Sequence, residues 1–463
     1  MTLRPWQETC LAQVLEWYEH EDHFMCLATP GAGKTILAAN VAKKLIEAGQ
    51  IDFVLGMSPS AEVAQSTTST FRNVLGRRFD GRIGAVGAAY TYQSLLHFKP
   101  DFWEIFDRHR VLVVLDEIHH CSGSDYQNAN AWGLEILTNI QSRASFTLAL
   151  SGTPWRSDDL PIVLAKYSDP EGKIRCNFEY GLRQAIADGV CRIPKIVLID
   201  HGEVHISGQD IEPRSFASLS ELMKSRAVRY EDLIQDIEAI RFMLGRGCKK
   251  LAEIKRNNPK AAGFVVASSV KHAQLIADEL ASTFRQSVRV VTYKNPDASI
   301  EIEEFRNSCN DWIVSVGMIS EGTDIPRLQI CCHLSVIKTE LHYRQVLGRI
   351  LRMTHDKDRT GWLFTFAETT LVQYAHDLKY EIPEARVISL KATFQPAAVE
   401  HVGNNCPSAA QMPICVGGRN DMNRDLPAIA FTSSSNTEAV FRPQLNFVGQ
   451  FREQVISTFT SPF

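Results

Sequence analysis

The stretch Ala28-Thr29-Pro30-Gly31-Ala32-Gly33-Lys34-Thr35 carries the clearest structural signal in this chain. It follows the apolar run Phe24–Leu27, which predicts a buried strand, and it precedes Ile36–Ala42, which predicts a helix. Gly31 and Gly33 allow the backbone to turn so that successive N–H groups point at one anion. The following helix directs its positive N-terminal end at the same place. The stretch therefore predicts a phosphate-binding loop between a strand and a helix.

A second polar cluster, Asp116-Glu117-Ile118-His119-His120, follows another apolar run that predicts a buried strand. A carboxylate at the end of such a strand can hold Mg²⁺ together with a loop hydroxyl, and we predict Asp116 and Thr35 for this role. Lys34 would reach the β- and γ-phosphates of a nucleotide. Glu117 can orient or deprotonate an attacking water. The alternative interpretation is a plain acidic turn, so the cluster gains its meaning from the phosphate-binding loop.

Length and composition restrict the class of protein. The chain has 463 residues, of which 44% are hydrophobic and 22% charged, as in a globular protein of about two to four domains. We find no apolar run near the roughly 18 residues of a membrane span, no signal-peptide pattern and no C-x-x-C pair. We therefore expect a cytoplasmic protein with no membrane partner. Because the net charge is −4, a nucleic-acid partner would need a locally basic cleft.

Strand-like apolar runs alternate with helical patterns through most of the chain, which predicts an α/β fold with doubly wound parallel sheets. The predicted strands are 24–27, 53–57, 83–86, 111–115 and 146–150, and then 263–267, 288–292, 312–316, 330–336 and 362–366. The predicted divisions are a first lobe at 1–201, a linker at 202–225, a second lobe at 226–395 and an irregular C-terminal extension at 396–463.

A third polar segment, Gln345–Arg352, places Arg349 and Arg352 three residues apart, on one face of a predicted helix. Two guanidinium groups so placed can reach a γ-phosphate held by the first lobe. An arginine finger of this kind stabilises transition-state charge and contributes about 10³–10⁵ in rate. The alternative interpretation is a solvated basic helix face.

Taken in order, these segments resemble the motifs of superfamily 2 helicases and translocases, with motif II in a DEIH form. The similar segments are Leu3–Gln7 (adenine-reading segment), 28–35 (motif I), Ser58-Pro59 (Ia), Thr91–Ser94 (Ib), Asp116–His119 (II), Ser151–Thr153 (III), Val266–Ser269 (IV), Glu321–Pro326 (V) and Gln345–Arg352 (VI). The resemblance implies two tandem RecA-like lobes, with ATP and Mg²⁺ bound in the cleft between them.

The resemblance also implies a role for individual residues. The implied nucleotide-binding residues are Gln7, Thr29, Gly31, Ala32, Gly33, Lys34, Thr35 and Asp324, with Thr35 and Asp116 on the metal. The implied catalytic residues are Glu117, Gln345, Arg349 and Arg352. The implied nucleic-acid contacts are Ser58, Thr91, Gln93, Ser268 and Gly317, and His119, Ser151 and Thr153 would couple the two sites.

Within the superfamily, the segments Leu3–Gln7, Asp116–His120 and Trp312–Pro326 resemble bacterial and phage helicases. These helicases are related to restriction-enzyme motor subunits and to double-strand DNA translocases. The resemblance implies an ATP-dependent helicase or translocase and favours DNA over RNA as the partner. Two alternatives stay open, namely an ATPase switch in a restriction or phage-defence complex, and an RNA helicase. The chain shows no nuclease signature, so a partner such as a nuclease subunit would have to cut any DNA.

Overall fold

The computed structural model describes residues 2–124, 129–153, 156, 160–168, 174–208, 211–295, 297–317, 323–353, 359–381, 386–391 and 444–457. Residues 321–322 of the predicted motif V and residues 396–443 of the predicted extension lie outside these ranges. Within the described ranges, no helix is both long and apolar enough to span a membrane.

The first half of the chain alternates strands and helices, as its sequence pattern predicts. Its strands are β1 (His23–Ala28), β2 (Phe53–Ser58), β3 (Gly87–Thr91), β4 (Val111–Asp116), β5 (Phe146–Ser151), β6 (Lys166–Tyr167), β7 (Ile174–Arg175) and β8 (Phe178–Tyr180). Its helices are α1 (Pro5–Trp17), α2 (Lys34–Glu47), α3 (Ala61–Leu75), α4 (Pro100–Trp103), α5 (Ile105–Arg108), α6 (Ala131–Asn139) and α7 (Leu182–Ala187).

A parallel sheet with the order β3-β2-β4-β5-β1-β8 forms the first lobe. Its central strand β4 is buried along its whole length, because helices cover both faces of the sheet. The pairing brings Asp116 beside Leu150, and Ser151 beside Leu27. The carboxyl ends of β4, β5 and β1 therefore meet at one edge, where a ligand site is expected.

The rest of the chain builds a second lobe. Its strands are β9 (Ile193–His201), β10 (Val204–Gly208), β11 (Ile211–Phe216), β12 (Ala262–Ala267), β13 (Val288–Thr292), β14 (Trp312–Val316), β15 (Leu328–Leu334), β16 (Thr360–Phe366), β17 (Arg386–Lys391), β18 (Gln444–Phe447) and β19 (Phe451–Ser457). Its helices are α8 (Leu219–Ser225), α9 (Tyr230–Gln235), α10 (Ile237–Lys255), α11 (Val270–Ser282), α12 (Ala298–Asn307), α13 (Glu340–Ile350) and α14 (Thr369–Glu381).

The second sheet has the order β13-β14-β12-β15-β16-β9-β19-β17. Strands from β13 to β9 run parallel, whereas β19 is antiparallel to both β9 and β17. The strands β11-β10-β18 form a separate, smaller antiparallel sheet. In the sequence, β10 follows β9 and β18 precedes β19. The prediction of an α/β fold with tandem parallel-sheet lobes is therefore confirmed.

Three local predictions differ from the structure. The strand predicted at 83–86 is wrong: β3 begins at Gly87, and Ile83 is 98% exposed. The segment predicted as a linker, 202–225, instead forms β10, β11 and α8. The strand β9, assigned by sequence order to the first lobe, pairs with β16 from Ile193 to Ile199 and so belongs to the second sheet. Such pairing joins distant segments and leaves no local signal.

The C-terminal segment differs most from the expected irregular extension. Strand β19 lies between β9 and β17, and β18 pairs with β10. Glu453 in β19 is almost fully buried, and its carboxylate accepts hydrogen bonds from the guanidinium of Arg246 in α10, with Nη2 at 2.6 Å from Oε2. Residues 444–457 are therefore part of the second lobe.

Candidate active site

The loop after β1 has the backbone conformation that anion binding requires. Gly31 has φ of +83° and Gly33 has φ of +97°, and a side chain would be strained at either position. Gly33 is the residue that precedes α2, so the loop leads directly into the helix N-terminus. Lys34 and Thr35 are the first residues of that helix. The loop, the helix and the lysine thus face one site, as predicted for a bound phosphate.

The first turn of α1 and Arg4, the residue before it, support this loop through hydrogen bonds. Arg4 Nη1 donates to the carbonyl of Ala32 at 2.7 Å, and Gln7 Nε2 donates to the carbonyl of Gly33 at 2.9 Å. Gln7 Oε1 accepts the N–H of Arg4 at 2.8 Å, and the side chain is buried. Both polar ends of the Gln7 amide therefore contact protein atoms. The predicted contact of Gln7 with adenine stays a prediction, and its observed partner is the loop.

The two predicted carboxylates lie beside Lys34. Lys34 Nζ is 3.2 Å from Glu117 Oε1 and donates to the carbonyl of Ala28 at 3.2 Å. Asp116 is buried at the end of β4, and its Oδ1 accepts the N–H of Glu117 at 3.1 Å. Tyr92 donates its hydroxyl proton to the carbonyl of Asp116 at 2.9 Å. The loop lysine and both carboxylates thus form one charged cluster.

Burial and neighbouring charges shift the pKa values of the two carboxylates in opposite directions. Burial, followed by the charge of Glu117, raises the pKa of Asp116. Burial alone would also raise the pKa of Glu117, but the charges of Lys34 and His119 outweigh it and lower that pKa. A cation at Asp116 would offset its burial, and a carboxylate and a hydroxyl are the oxygen ligands that Mg²⁺ prefers. Asp116 and Thr35 therefore fit the predicted metal role.

The predicted coupling residues form a chain of hydrogen bonds at the end of β5. His119 Nδ1 lies 3.0 Å from Ser151 Oγ and 3.5 Å from Glu117 Oε2. Ser151 Oγ donates to the carbonyl of Thr153 at 2.8 Å, and the N–H of Gly152 donates to Glu117 Oε2 at 3.1 Å. The structure thus connects the segments predicted as motifs II and III through the carboxylate of Glu117.

The second lobe packs directly on the phosphate-binding loop. A Cβ atom on Gly348 of α13 would lie 2.8 Å from Pro30 Cβ, so only glycine permits this approach. Arg352 Cγ would lie 3.0 Å from a Cβ atom on Gly31. Arg352 is therefore held over the loop, where the arginine of a finger is expected.

The arginine pair does not share a helix face, which corrects the sequence prediction. Helix α13 ends at Ile350, and Arg352 lies beyond it in an antiparallel bridge with Cys191. Arg349 Nη1 donates to the carbonyl of Thr323 at 2.8 Å, whereas Arg352 Nη1 pairs with the carboxylate of Asp324. The physical reason is the end of the helix, which turns the chain and points the two side chains at different partners.

The remaining predicted residues lie at strand ends or on the helix. Gln345 is half-buried in α13. Ser58, at the end of β2, is fully buried, so its hydroxyl does not reach the surface. Thr91 ends β3 with its hydroxyl 3.0 Å from Ser94 Oγ, and the exposed Gln93 follows it.

The two second-lobe residues predicted to contact nucleic acid also follow strands. Ser268 follows β12, and its Oγ lies 2.8 Å from His272 Nδ1. Gly317 follows β14, has φ of +72° and is exposed. Their contact with nucleic acid stays a prediction.

A cavity of about 430 Å³ adjoins the loop-supporting end of α1. It is lined by Arg4, Pro5, Trp6, Asp188, Gly189, Val190 and Met353. Its volume falls in the range of about 300–1,000 Å³ that is usual for small-molecule sites. Because residues of both lobes line it, it is a second place where the lobes meet around the loop.

Sequence reasoning missed Arg4, Cys191 and Arg192. Arg4 lies in the segment identified as adenine-reading, but its contact with the loop carbonyls has no pattern of its own. Cys191 Sγ lies 3.6 Å from the carbonyl of Pro30, and Arg192 is fully buried. A single arginine between a helix and a strand gives no periodic signal, so only its contacts reveal it.

Two family profiles match this chain. The profile described as "Type III restriction enzyme, res subunit" matches residues 1–156, and the profile described as "Helicase conserved C-terminal domain" matches residues 247–354. The two matched segments are those expected of superfamily 2 helicases, and the predicted resemblance to helicases related to restriction-enzyme motor subunits is confirmed.

The chain also has a similar protein in Mycobacterium leprae. It is 29% identical over 391 residues to this uncharacterized protein, a match that covers 81% of this chain and 64% of the relative. The chain thus spans less than two thirds of that relative's length.

Two solved structures share the fold of this chain. The ATP-dependent Type ISP restriction-modification enzyme LlaBIII bound to DNA has a TM-score of 0.54 at 14% identity, over 80% of this chain and 28% of that one. A fragment of a type I restriction enzyme from Vibrio vulnificus has a TM-score of 0.54 at 16% identity, over 80% of this chain and 65% of that one.

Proposed function

We propose that this protein is an ATP-dependent DNA helicase or translocase that hydrolyses MgATP in the cleft between its lobes. The observation that carries the proposal is the contact of Arg352 and Gly348, from the second lobe, with Gly31 and Pro30 of the phosphate-binding loop. A nucleotide in the loop would therefore be enclosed by both lobes. Hydrolysis would then change how the lobes fit together, which is what a motor requires.

Each group at the site has a proposed task. Lys34 and the N-terminus of α2 would bind the phosphates, and Thr35 and Asp116 would hold Mg²⁺. The ion would supply positive charge that neutralises the phosphate oxygens. Glu117, whose lowered pKa keeps it ionised, orients the attacking water and accepts its proton. Arg352 stabilises the charge of the transferring phosphoryl group.

The cavity beside α1 is the proposed site of the nucleotide base. It adjoins Arg4, which contacts the loop carbonyls, and Met353, the residue after Arg352, also lines it. A base held there would lie beside the same loop that binds its phosphates. A bound nucleotide would therefore contact both Arg4, which precedes the loop in the sequence, and Met353, which follows α13.

The proposed partner is DNA, held at the carboxyl ends of strands in both lobes. The exposed Gln93 and Gly317 and the half-buried Thr91 and Ser268 are the proposed contacts. Such contacts to phosphates bind without reading the sequence, so the affinity should fall steeply as salt increases. The similarity to a restriction enzyme whose structure contains DNA favours DNA over RNA.

A comparison of nucleic acids tests this proposal. ATP hydrolysis by the whole chain would be measured with no nucleic acid, and with single-stranded DNA, duplex DNA, forked DNA or RNA. We expect duplex or forked DNA to give the largest stimulation and Lys34→Ala to abolish it. Stimulation by RNA and not by duplex DNA would contradict the choice of partner. An absence of hydrolysis under every condition would overturn the ATPase itself.

Movement needs a separate measurement. Displacement of the third strand of a triplex reports translocation on duplex DNA, and displacement of one strand of a fork reports unwinding. We expect at least one of these reactions to require ATP. DNA-stimulated hydrolysis with neither reaction would favour the alternative of an ATPase switch in a restriction or phage-defence complex. In that case a nuclease subunit would be the partner to seek.

A further inference from the structure

Arg192 is a buried arginine at the junction of the two lobes. It lies between α7 of the first lobe and β9 of the second, and none of its surface is exposed. Burial of a guanidinium group is costly unless hydrogen-bond acceptors surround it. The acceptors near Arg192 are therefore the key to its role.

The Nη1 atom of Arg192 donates to backbone carbonyls of two separate segments. One segment is the turn that leads into β15, where the acceptors are Pro326 at 3.1 Å and Leu328 at 2.9 Å. The other is the end of α13, where the acceptors are Ile350 at 3.3 Å and Arg352. The backbone N–H of Arg192 also donates to the carbonyl of Leu351 at 2.8 Å.

This arrangement stabilises the point where α13 ends. The last carbonyls of a helix have no partner within the helix and carry partial negative charge. The guanidinium of Arg192 supplies both a donor and a positive charge there. The chain can therefore leave the helix after Ile350 and extend through Arg352, instead of continuing as another helical turn.

The neighbouring residue joins the same segment to the phosphate-binding loop. Cys191 forms the antiparallel bridge with Arg352, and its Sγ lies 3.6 Å from the carbonyl of Pro30. The backbone of Arg352 is thus held from two sides, by Cys191 towards the loop and by Arg192 towards β15. Arg352 Cγ lies 3.0 Å from where a Cβ atom on Gly31 would be, so the side chain leaves this fixed backbone directly over the loop.

We propose that Arg192 is a positioning residue, which holds the backbone of Arg352 so that its guanidinium can act on the phosphoryl group. This inference rests on the proposed ATPase function and on the finger role of Arg352. A displacement of about 1 Å at a reacting group can reduce a rate by roughly 10²-fold. Loss of Arg192 should therefore impair catalysis through Arg352 and leave nucleotide binding nearly intact.

A double-mutant cycle tests the inference on the whole chain. DNA-stimulated kcat and KM for ATP would be measured for the wild type, Arg192→Gln, Arg352→Ala and the double variant. We expect Arg192→Gln to reduce kcat by about 10–100-fold with KM changed less than about threefold. In the Arg352→Ala background, the same replacement should change kcat by less than about twofold, because the group it positions is absent.

A second readout is independent of turnover. The affinity for ADP with aluminium fluoride, a mimic of the transferring phosphoryl group, would be compared with the affinity for ADP alone. Arg192→Gln should reduce the ratio of these affinities as Arg352→Ala does. A role confined to folding would leave the ratio at the wild-type value. If Arg192→Gln does not fold, Arg192→Lys keeps the charge and loses the fork of donors, and it should give a smaller loss in the same direction.

Arg327 provides a matched control in the same lobe. It is also buried, and its guanidinium donates to backbone carbonyls, at 2.8 Å to Phe305 and 2.9 Å to Asn310. Arg327 adjoins Pro326, whose carbonyl accepts a hydrogen bond from Arg192. Arg327→Gln therefore also reports whether loosening this turn is sufficient to lower the affinity ratio. We expect it to lower stability without changing the ratio of affinities.

The outcomes separate the inference from the function on which it rests. Equal losses from Arg192→Gln in both backgrounds, or the same fall in the affinity ratio for Arg327→Gln, would overturn the positioning role. An unchanged kcat in Arg352→Ala would overturn the finger role and this inference with it. An absence of ATP hydrolysis in the wild type would overturn the proposed function first.

Discussion

Glu117 adopts a left-handed backbone conformation, with φ of +50°, directly after the end of β4. Such a conformation costs a residue other than glycine on the order of 1–3 kcal/mol, and proteins keep this strain mostly at functional sites. Here the turn allows the carboxylate to contact Lys34 and the N–H of Gly152 together. The strain therefore has a chemical reason, because it joins the phosphate-binding loop to the end of β5.

The role of Glu117 can be tested by removing its charge. Glu117→Gln keeps the size of the side chain but cannot accept a proton from water. We expect ATP binding to persist and kcat to fall by about 10²–10⁴-fold. Glu47→Gln, at an exposed residue of α2 that pairs with Lys44, is the control. Turnover of Glu117→Gln at the wild-type rate would exclude Glu117 as the base.

Arg352 lies beyond the end of α13 and over the phosphate-binding loop, so its replacement should impair catalysis. We expect Arg352→Ala to reduce kcat by about 10³-fold or more, with nucleotide affinity changed far less, because a finger acts on the transition state. Arg344→Ala removes an arginine of α13, the helix that precedes Arg352; Arg344 pairs with Glu340 at 2.8 Å, and its loss should keep most of the activity. Single-turnover hydrolysis measures the effect. Equal losses at Arg344 and Arg352 would contradict a finger role for Arg352.

At the scale of elements, the contact between α13 and the phosphate-binding loop is the feature that joins the lobes. It depends on Gly348, where a methyl group would meet Pro30 at 2.8 Å. It also depends on the end of α13 at Ile350, which directs Arg352 to the loop. A helix that continued one turn further would carry Arg352 away from this place.

Gly348→Ala should separate stability from activity. Alanine favours a helix over glycine by about 1 kcal/mol, so the melting temperature should stay equal or rise. The added methyl group displaces α13 from Pro30, and we expect kcat to fall at least tenfold. Gly245→Ala in α10, where the methyl group would meet only the ring of Phe284 at 3.2 Å, is the control and should keep full activity. An active Gly348→Ala protein would contradict a tight contact between the lobes.

The C-terminal strand β19 is a central element of the second sheet. A chain truncated after residue 395 would lose the pairing of β19 with both β9 and β17. We expect such a chain to aggregate or to unfold at a much lower temperature, because the edge of β9 becomes exposed. Calorimetry of the purified protein would measure this, and removal of residues 458–463, which follow β19, is the control. Full ATPase activity and unchanged melting after truncation at 395 would contradict the prediction.

At the scale of the whole molecule, buried histidines contribute to the loss of stability in acid. Burial lowers the pKa of His272 to about 4, and burial together with the charge of His342 lowers that of His333 to about 3. Both pKa values are below the value of about 6.5 in an unfolded chain. Their contribution to stability is therefore complete above about pH 6.5 and is lost as the pH falls towards the folded values.

His333→Leu should reduce this acid sensitivity. Each such histidine lowers the free energy of unfolding by about 1.4 kcal/mol per pH unit below 6.5, or roughly 2 kcal/mol at pH 5. Urea unfolding at pH 7 and pH 5 would measure the difference for wild type and variant, and the variant should lose less stability. Val314→Ala, at a buried residue without a titratable group, should be equally destabilised at both pH values. An unchanged difference in His333→Leu would contradict the prediction.

Local patterns in the amino-acid sequence predicted the loop at residues 28–35, the carboxylates at residues 116–117 and most strands of both sheets. These features depend on neighbours along the chain, such as Gly31 and Gly33 in a turn or apolar runs that predict buried strands. The resemblance to superfamily 2 helicases was also visible in the sequence, because the motifs of these helicases are short and ordered.

The sequence did not predict which distant segments meet; the folded structure was needed for that. It placed β9 and β19 in the second sheet, ended α13 before Arg352 and directed Arg192 to the carbonyls that hold that arginine. The physical reason is that strand pairing and the acceptors of a buried arginine depend on residues far apart in the chain, which leave no local pattern. The loop at residues 28–35 is thus one half of a site, and the fold supplies the other half.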